Sequence, residues 1–217
     1  MQTPTESPNQ RSLLNQLRSL IPTGAISLGY ALQVAEQQAD YLLSSLDAST
    51  SLSITDTMGA FSRLTVVYDQ TPVDGLSYWN GTSWIIVIQA RAPLSRRRYS
   101  FAREVGYIIW HEHLECETPD RTNELRHIIN HFAYSLLIPA PTLDRLWTNG
   151  IRDIDTLSHT FGVSHHVTVT RLIHLRPWLN INPPRHTTWH SYVERPPAHA
   201  ETITGWIRGD CEPEVTP

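Results

Sequence analysis

Asn80-Gly81 separates two runs rich in aromatic and β-branched residues, Ser77-Tyr78-Trp79 and Ser83-Trp84-Ile85-Ile86-Val87-Ile88. Asn-Gly is the dipeptide that best accepts the positive φ angles of a tight hairpin turn, so the two runs are expected to pair as antiparallel strands. Leu64-Thr65-Val66-Val67-Tyr68, closed by the turn-forming Asp69-Gln70-Thr71-Pro72, supplies a further strand. Around this sheet the spacing is helical. Leu13, Leu14, Leu17 and Leu20 recur until Pro22-Thr23-Gly24 breaks the run. Over residues 27–46, Leu32, Ala35, Ala39, Leu42, Leu43 and Leu46 lie on one side of a helix and Gln33, Glu36, Gln37 and Asp40 on the other. More helices are expected over residues 99–113, 123–138, 141–149, 154–161 and 164–175, with Gly162 as a break. The pattern gives an α+β fold: a small antiparallel sheet packed with several helices, and a helical C-terminal half.

A chain of 217 residues can bury one sizeable core. The expected organisation is an N-terminal segment over 1–24 (polar and frayed to residue 11), a domain over 25–176, and a Pro/Thr/His-rich tail over 177–217. Trp178, Trp189 and Trp206 in that tail argue for its lying against the body. The formal net charge of −4 gives no electrostatic reason to expect nucleic acid or a membrane surface as partner. The two cysteines, Cys116 and Cys211, form no disulfide framework and fit a reducing compartment. There is no apolar signal core and no run near the roughly 20 apolar residues of a membrane span, so a cytoplasmic location is expected.

The chemistry-bearing segment is Arg103-Glu104-Val105-Gly106-Tyr107, on the 99–113 helix. In His-Glu-x-x-His, two imidazoles four residues apart share a helix face and hold zinc, while the Glu acts as general base toward the metal-bound water. Here the Glu is present, but Arg and Tyr fill the imidazole positions. Arg offers no lone pair, and Tyr would have to lose a proton whose reference pKa is about 10. Taken alone, the segment also reads as an ordinary helix surface with an i,i+4 pair.

The order of the surrounding blocks resembles the ImmA/IrrE-type metallopeptidase family over roughly residues 25–175. That family has a strand like Trp84-Ile85-Ile86-Val87-Ile88, then an Arg-rich lead-in to a His-Glu-x-Gly-His helix, here Arg96-Arg97-Arg98-Tyr99-Ser100-Phe101-Ala102. A further family His falls on His111. Asn130-His131-Phe132-Ala133-Tyr134-Ser135-Leu136-Leu137-Ile138-Pro139 is similar to the family's next helix end. Phe161-Gly162-Val163-Ser164 and Arg171-Leu172 match its closing turn and helix. The resemblance implies a zincin-like domain whose active members bind one zinc and cleave a repressor protein, often in mobile-element or stress-response regulation. The third family ligand falls near Ile128, which has no donor atom, and the nearest acid is Glu124. With Arg103, Tyr107 and Ile128 at the ligand positions, the expectation is a pseudoenzyme: Glu104 is a remnant of the general base, no cofactor is held, and a regulatory protein is bound without cleavage.

Other readings stay open. His113, Cys116, His127 and His131 could form a relocated metal site for an active zinc endopeptidase, or be helix-end and surface residues. His165-His166 carry the same ambiguity with less support. Residues 154–172 read like a helix-turn-helix, but only Arg171 and Arg176 could contribute to a basic footprint, which favours packing over DNA binding. Arg96-Arg97-Arg98 reads as a solvated strand end with one or two ion pairs.

Overall fold

The computed structural model describes residues 12–46, 53–113 and 119–179. In chain order these form α1 (Leu13–Arg18), α2 (Leu28–Ser45), α3 (Ile54–Ala60), β1 (Leu64–Asp69), β2 (Gly75–Trp79), β3 (Trp84–Gln89), α4 (Leu94–Trp110), a short 3-10 turn (His111–His113), α5 (Pro119–Leu137), α6 (Ala140–Thr148), α7 (Ile154–Phe161) and α8 (His165–Leu179). The fold is α+β, and mostly helical among the described residues. None of the described helices is long and apolar enough to cross a membrane.

The sheet is three-stranded in the order β1-β3-β2. β2 and β3 form the expected antiparallel hairpin, with Tyr78 opposite Ile85. β1, however, runs parallel to β3, with Val66 beside Ile86. The sheet is therefore mixed rather than antiparallel throughout. The reason is that β3 inserts between its two predecessors. Gln89 N–H donates to Asp74 O at 3.1 Å and Ala90 N–H to Asp69 O at 2.8 Å, so the end of β3 and the residue after it tie down both ends of the loop that bridges β1 to β2. The nearly continuous apolar run of β3 suits a strand paired on both sides. Trp84, Ile86 and Ile88 are buried on one face.

α4 lies under β2 and β3, α5 packs along both α4 and α2, and α8 closes against α5, α6 and α7. Phe101, Ile109, Ile129, Phe132 and Leu136 are fully buried in this core. Each contributes roughly 1.5–3 kcal/mol through removal of apolar surface from water. Gly106 sets the closeness of α4 and α5, because a Cβ there would stand 3.1 Å from Phe132 Cδ1 and 3.3 Å from Ile129 Cγ2. Gln38 of α2 is wholly buried; its amide donates to Leu17 O at 2.9 Å and accepts from Trp110 Nε1 at 2.9 Å, joining α1, α2 and α4. α1 is held further by Arg18, which donates to Ile108 O at 2.8 Å near the C-terminus of α4.

Local signals explain the element ends. Asp153 caps α7 by accepting from Thr156 N–H at 2.8 Å, and Gly162 ends it at φ 63°, where a glycine is favoured. α3 was not expected from apolar spacing; Ser53 caps it by accepting from Asp56 N–H at 3.3 Å. α8 extends through Leu179, so the first residues assigned to the tail are helical. The fraying of residues 1–11 and the tail tryptophans Trp189 and Trp206 lie outside the described residues, as does the Trp178 side chain.

The arginine run is corrected. α4 begins at Leu94, so Arg96, Arg97 and Arg98 lie in its first turns and not at a strand end. Cations at a helix N-terminus oppose the helix dipole, which calls for external partners. Arg96 stands 3.7 Å from Asp74, Arg97 lies over the Tyr68 ring at 5.7 Å, and the Arg98 guanidinium rests against Gly162, 2.6 Å from where a Cβ would sit. Each arginine ties α4 to a different element.

Candidate functional site

The candidate site lies on α4, with β2 packed on one flank of that helix and α5 on the other; the space above α4 between them is called the cleft below. Gly75 brings β2 down onto α4: a Cβ there would lie 3.1 Å from Ser100 Cβ and 3.4 Å from Glu104 Cγ. Ser77 then donates from Oγ to Glu104 Oε2 at 2.9 Å. On the opposite flank, Tyr99 O–H donates to Asn130 Oδ1 of α5 at 3.1 Å, and its ring stacks on Tyr134 with centroids 5.5 Å apart. Arg103 and Tyr107 follow Tyr99 at helical spacing and fall between the β2-facing and α5-facing sides of α4. Their guanidinium and ring are in contact, 5.6 Å from Cζ to the centroid.

Glu104 is buried, with 3% of its surface exposed. Burial pushes its carboxyl above the usual range, with Arg103 and the Ser77 hydroxyl pulling the other way. Arg103 Nη2 is 3.7 Å from Glu104 Oε1, too long for a hydrogen bond. Burial of Tyr99 raises its phenol well above the ordinary value, so it remains a neutral donor near neutral pH. At the far end of α4, His111 packs its ring against Trp84 at 4.9 Å, and Trp79 lies 5.7 Å from Trp84.

Ile128 is buried, with 7% exposure. Two helical positions separate it from Asn130, about 200° around the axis, so it faces the core while Asn130 faces Tyr99. The residue one turn before Asn130 on the cleft row is Arg126, which is exposed. Glu124 is exposed. Arg103 and Tyr107 therefore come together, and Ile128 does not join them. A guanidinium, a phenol and an aliphatic side chain do not fit zinc. Among the described residues no three His, Cys, Asp or Glu side chains are grouped so as to hold a metal ion. The side chains of His113 and Cys116 lie outside the described residues.

His127 is exposed, while His131 is engaged elsewhere. Its Nε2 lies 2.8 Å from Glu36 Oε2, and its ring is 5.1 Å from that of His174. Glu36 also accepts from Ser135 Oγ at 2.8 Å and from Arg171, whose Nη1 is 2.9 Å from Oε2 and whose Nη2 bonds Oε1. Arg171 Nε donates to Ile138 O at 3.0 Å, and the whole residue is buried. Burial works against the Glu36 carboxylate, but the His131 and Arg171 bonds, the Arg171 charge and Ser135 outweigh it and hold its pKa far below the usual range. Spacing had placed Glu36 on the polar face of α2; its partners lie on α5 and α8, and nothing local to α2 marks them. Arg171, counted toward a basic footprint, is unavailable to a phosphate. His165 pairs with Asp155 at 2.7 Å, joining the starts of α8 and α7.

Residues 65–172 match the family model described as the IrrE N-terminal-like domain. Through those residues the chain belongs to the IrrE N-terminal-like family. The matched region of this IrrE-like chain starts in β1 and ends just after Arg171, so Glu36, which neutralises Arg171, comes from outside it. No curated protein matches the sequence. Among solved structures, a Mycobacterium tuberculosis transcriptional regulator is similar, with a TM-score of 0.54 and 15% identity over 74% of this chain and 51% of that one. At that identity the likeness concerns the fold, and the IrrE-like chain spans about half the length of the regulator.

Proposed function

We propose that this IrrE-like chain is a catalytically degenerate member of its family that binds a regulatory protein, of the repressor type, in the cleft between β2 and α5 without cleaving it. The setting implied by the family is mobile-element or stress-response regulation. The observation that carries the reading is Arg103: a guanidinium, stacked on Tyr107, fills the position from which an imidazole would hold the metal. A fixed cation there opposes a divalent ion by charge and supplies no lone pair. Glu104 is buried and takes a hydrogen bond from Ser77, and without a metal held at position 103 it has no activated water to deprotonate. The competing reading, an active endopeptidase with relocated ligands, loses support because His131 is taken by Glu36 on the side of α5 away from Asn130.

Zinc binding tests the reading. Protein purified without chelator should contain far less than one zinc per chain. Near-stoichiometric zinc that disappears in His127→Ala or His131→Ala would overturn it. The same assay then tests the cleft geometry. Arg103→His and Tyr107→His combined with Arg126→Glu should bind zinc or cobalt better than wild type, whereas the same pair with Ile128→Glu should not, because position 128 turns into the core.

A further inference from the structure

We propose that His174 makes α8 an acid-released latch: a proton taken up by its imidazole lifts α8 from α2 and α5 while α4 stays folded. The seam that α8 closes is poorly equipped for a new positive charge. Glu36 of α2 is the acid at its centre, and its two oxygens already take Arg171, Ser135 and His131. The Arg171 guanidinium is fully buried there and permanently charged. His174 follows Arg171 by one turn of α8. Its ring lies 5.1 Å from that of His131 and 5.7 Å from that of Tyr134, centroid to centroid. Among the described residues no carboxylate is paired with it, whereas His131 has Glu36.

The charges that act on His174 come from three helices: His131 and His127 of α5, Arg171 of α8, and Glu36 of α2. Asp40, one turn beyond Glu36, is a further acid on α2, and burial and the Glu36 charge push it toward its neutral form. With α8 docked, partial burial and the cations beside it hold His174 down at about 4, against the pull of Glu36. With α8 lifted, the ring returns to water and to its ordinary value near 6.5. The lifted form therefore binds the proton more tightly, and docking weakens as pH falls from 6.5 toward 4. The residue is exposed enough for water to deliver the proton.

Tyr134 carries the change to the cleft. Its ring meets His174 on α8 and stacks on Tyr99 of α4. Its hydroxyl accepts from Tyr99 O–H at 3.3 Å and is hydrogen-bonded to Thr170 of α8. Tyr99 in turn holds Asn130 across the cleft. Lifting α8 removes both of its contacts with Tyr134 and so loosens the α5 flank of the cleft, whatever the cleft binds.

Amide-exchange protection factors of the full chain, measured between pH 6.5 and 4.5, test the latch. Protection of the α8 amides over 168–175 should fall by about tenfold over that range, while the α4 amides over 101–109 keep theirs. One proton permits at most about tenfold per pH unit, and the exposure of the ring reduces it. His174→Phe keeps a ring against His131 and Tyr134 but takes no proton, and should abolish the loss. His174→Gln gives the same test if the larger ring is not accommodated. His166→Gln, at an exposed position of the same helix, should leave the loss unchanged. Protection of α8 that does not vary with pH in wild type overturns the latch, as does an equal loss in the His174 variants or a parallel loss in α4. The side-chain amide resonances of Asn130 should shift with the same pH midpoint as the α8 change. If they stay fixed, the link to the cleft is overturned.

Discussion

Among the described residues two Glu–Arg pairs lie under cover, and they are built in opposite ways. Glu36 and Arg171 meet through two oxygens and two nitrogens, with Ser135, His131 and Ile138 O taking up remaining valences. Glu104 and Arg103 are neighbours on one helix, separated by 3.7 Å, and among the described residues Ser77 alone hydrogen-bonds the acid. The first carboxyl is held far below its usual pKa; the second is pushed above it. Burial opposes the charge in both, and the number and geometry of bonds to the ionised form decide which effect wins. The saturated pair has no capacity left for a ligand and serves to fix α8 on α2. The unsaturated pair lies in the cleft, where a strained electrostatic arrangement is more informative about binding than about stability.

The largest expected effect breaks the saturated pair. Arg171→Ala should lower unfolding stability in urea by about 3–5 kcal/mol, because it leaves a half-buried carboxylate without its cation. Glu36→Leu with Arg171→Met should recover much of that loss. A loss below about 1 kcal/mol for Arg171→Ala would make the two pairs equivalent and remove the contrast.

A smaller effect separates the pairs by pH. Glu36 has a depressed pKa, so its contribution is present above the unfolded value near 4.5 and is lost as pH falls below it. Glu104 has a raised pKa, so its contribution is full below that value and is lost as pH rises through its folded pKa. Glu36→Gln should therefore destabilise more at pH 7 than at pH 3.5. Glu104→Gln should be neutral at pH 3.5 and stabilising at pH 7. Thermal melts at the two pH values decide it, and the same sign for both substitutions would contradict the assigned environments.

The smallest effect sharpens the description of the saturated network. His174 is pushed down to about 4 by partial burial, helped by the positive charges of His131 and Arg171. Its ring resonances should stay those of the neutral form through pH 6 in an NMR titration. An ordinary titration near 6.5 would place the ring away from His131 and Tyr134.

Much of this was legible in the residues. Asn80-Gly81 specified the hairpin, Gly162 the end of α7, and the Arg103-to-Tyr107 frame the floor of the cleft. The direction of β1 was not legible, because alternation reports which face a residue takes and says nothing about the sense of the neighbouring strand. The arginine run was misread because three cations at a helix start go against the dipole, and the groups that compensate them, Asp74, Tyr68 and the turn at Gly162, are distant in sequence. Ile128 was placed by counting within a motif, whereas helical phase relative to Asn130 decides which α5 residues face the cleft. Glu36 was hidden for a similar reason: its spacing is that of a solvent face, and its partners arrive only with α5 and α8.

The span between Glu36 and Arg171 also orders events in time. They are 135 positions apart, which makes their bond among the longest loop closures in the fold. A nascent chain that has emerged only through α5 can already bring His131 and Ser135 to Glu36, but the carboxylate still lacks its permanent cation. Completion of the Glu36 network must therefore wait for α8. A chain ending before residue 171 would leave the Glu36 carboxylate, at the seam of α2 and α5, without its guanidinium partner.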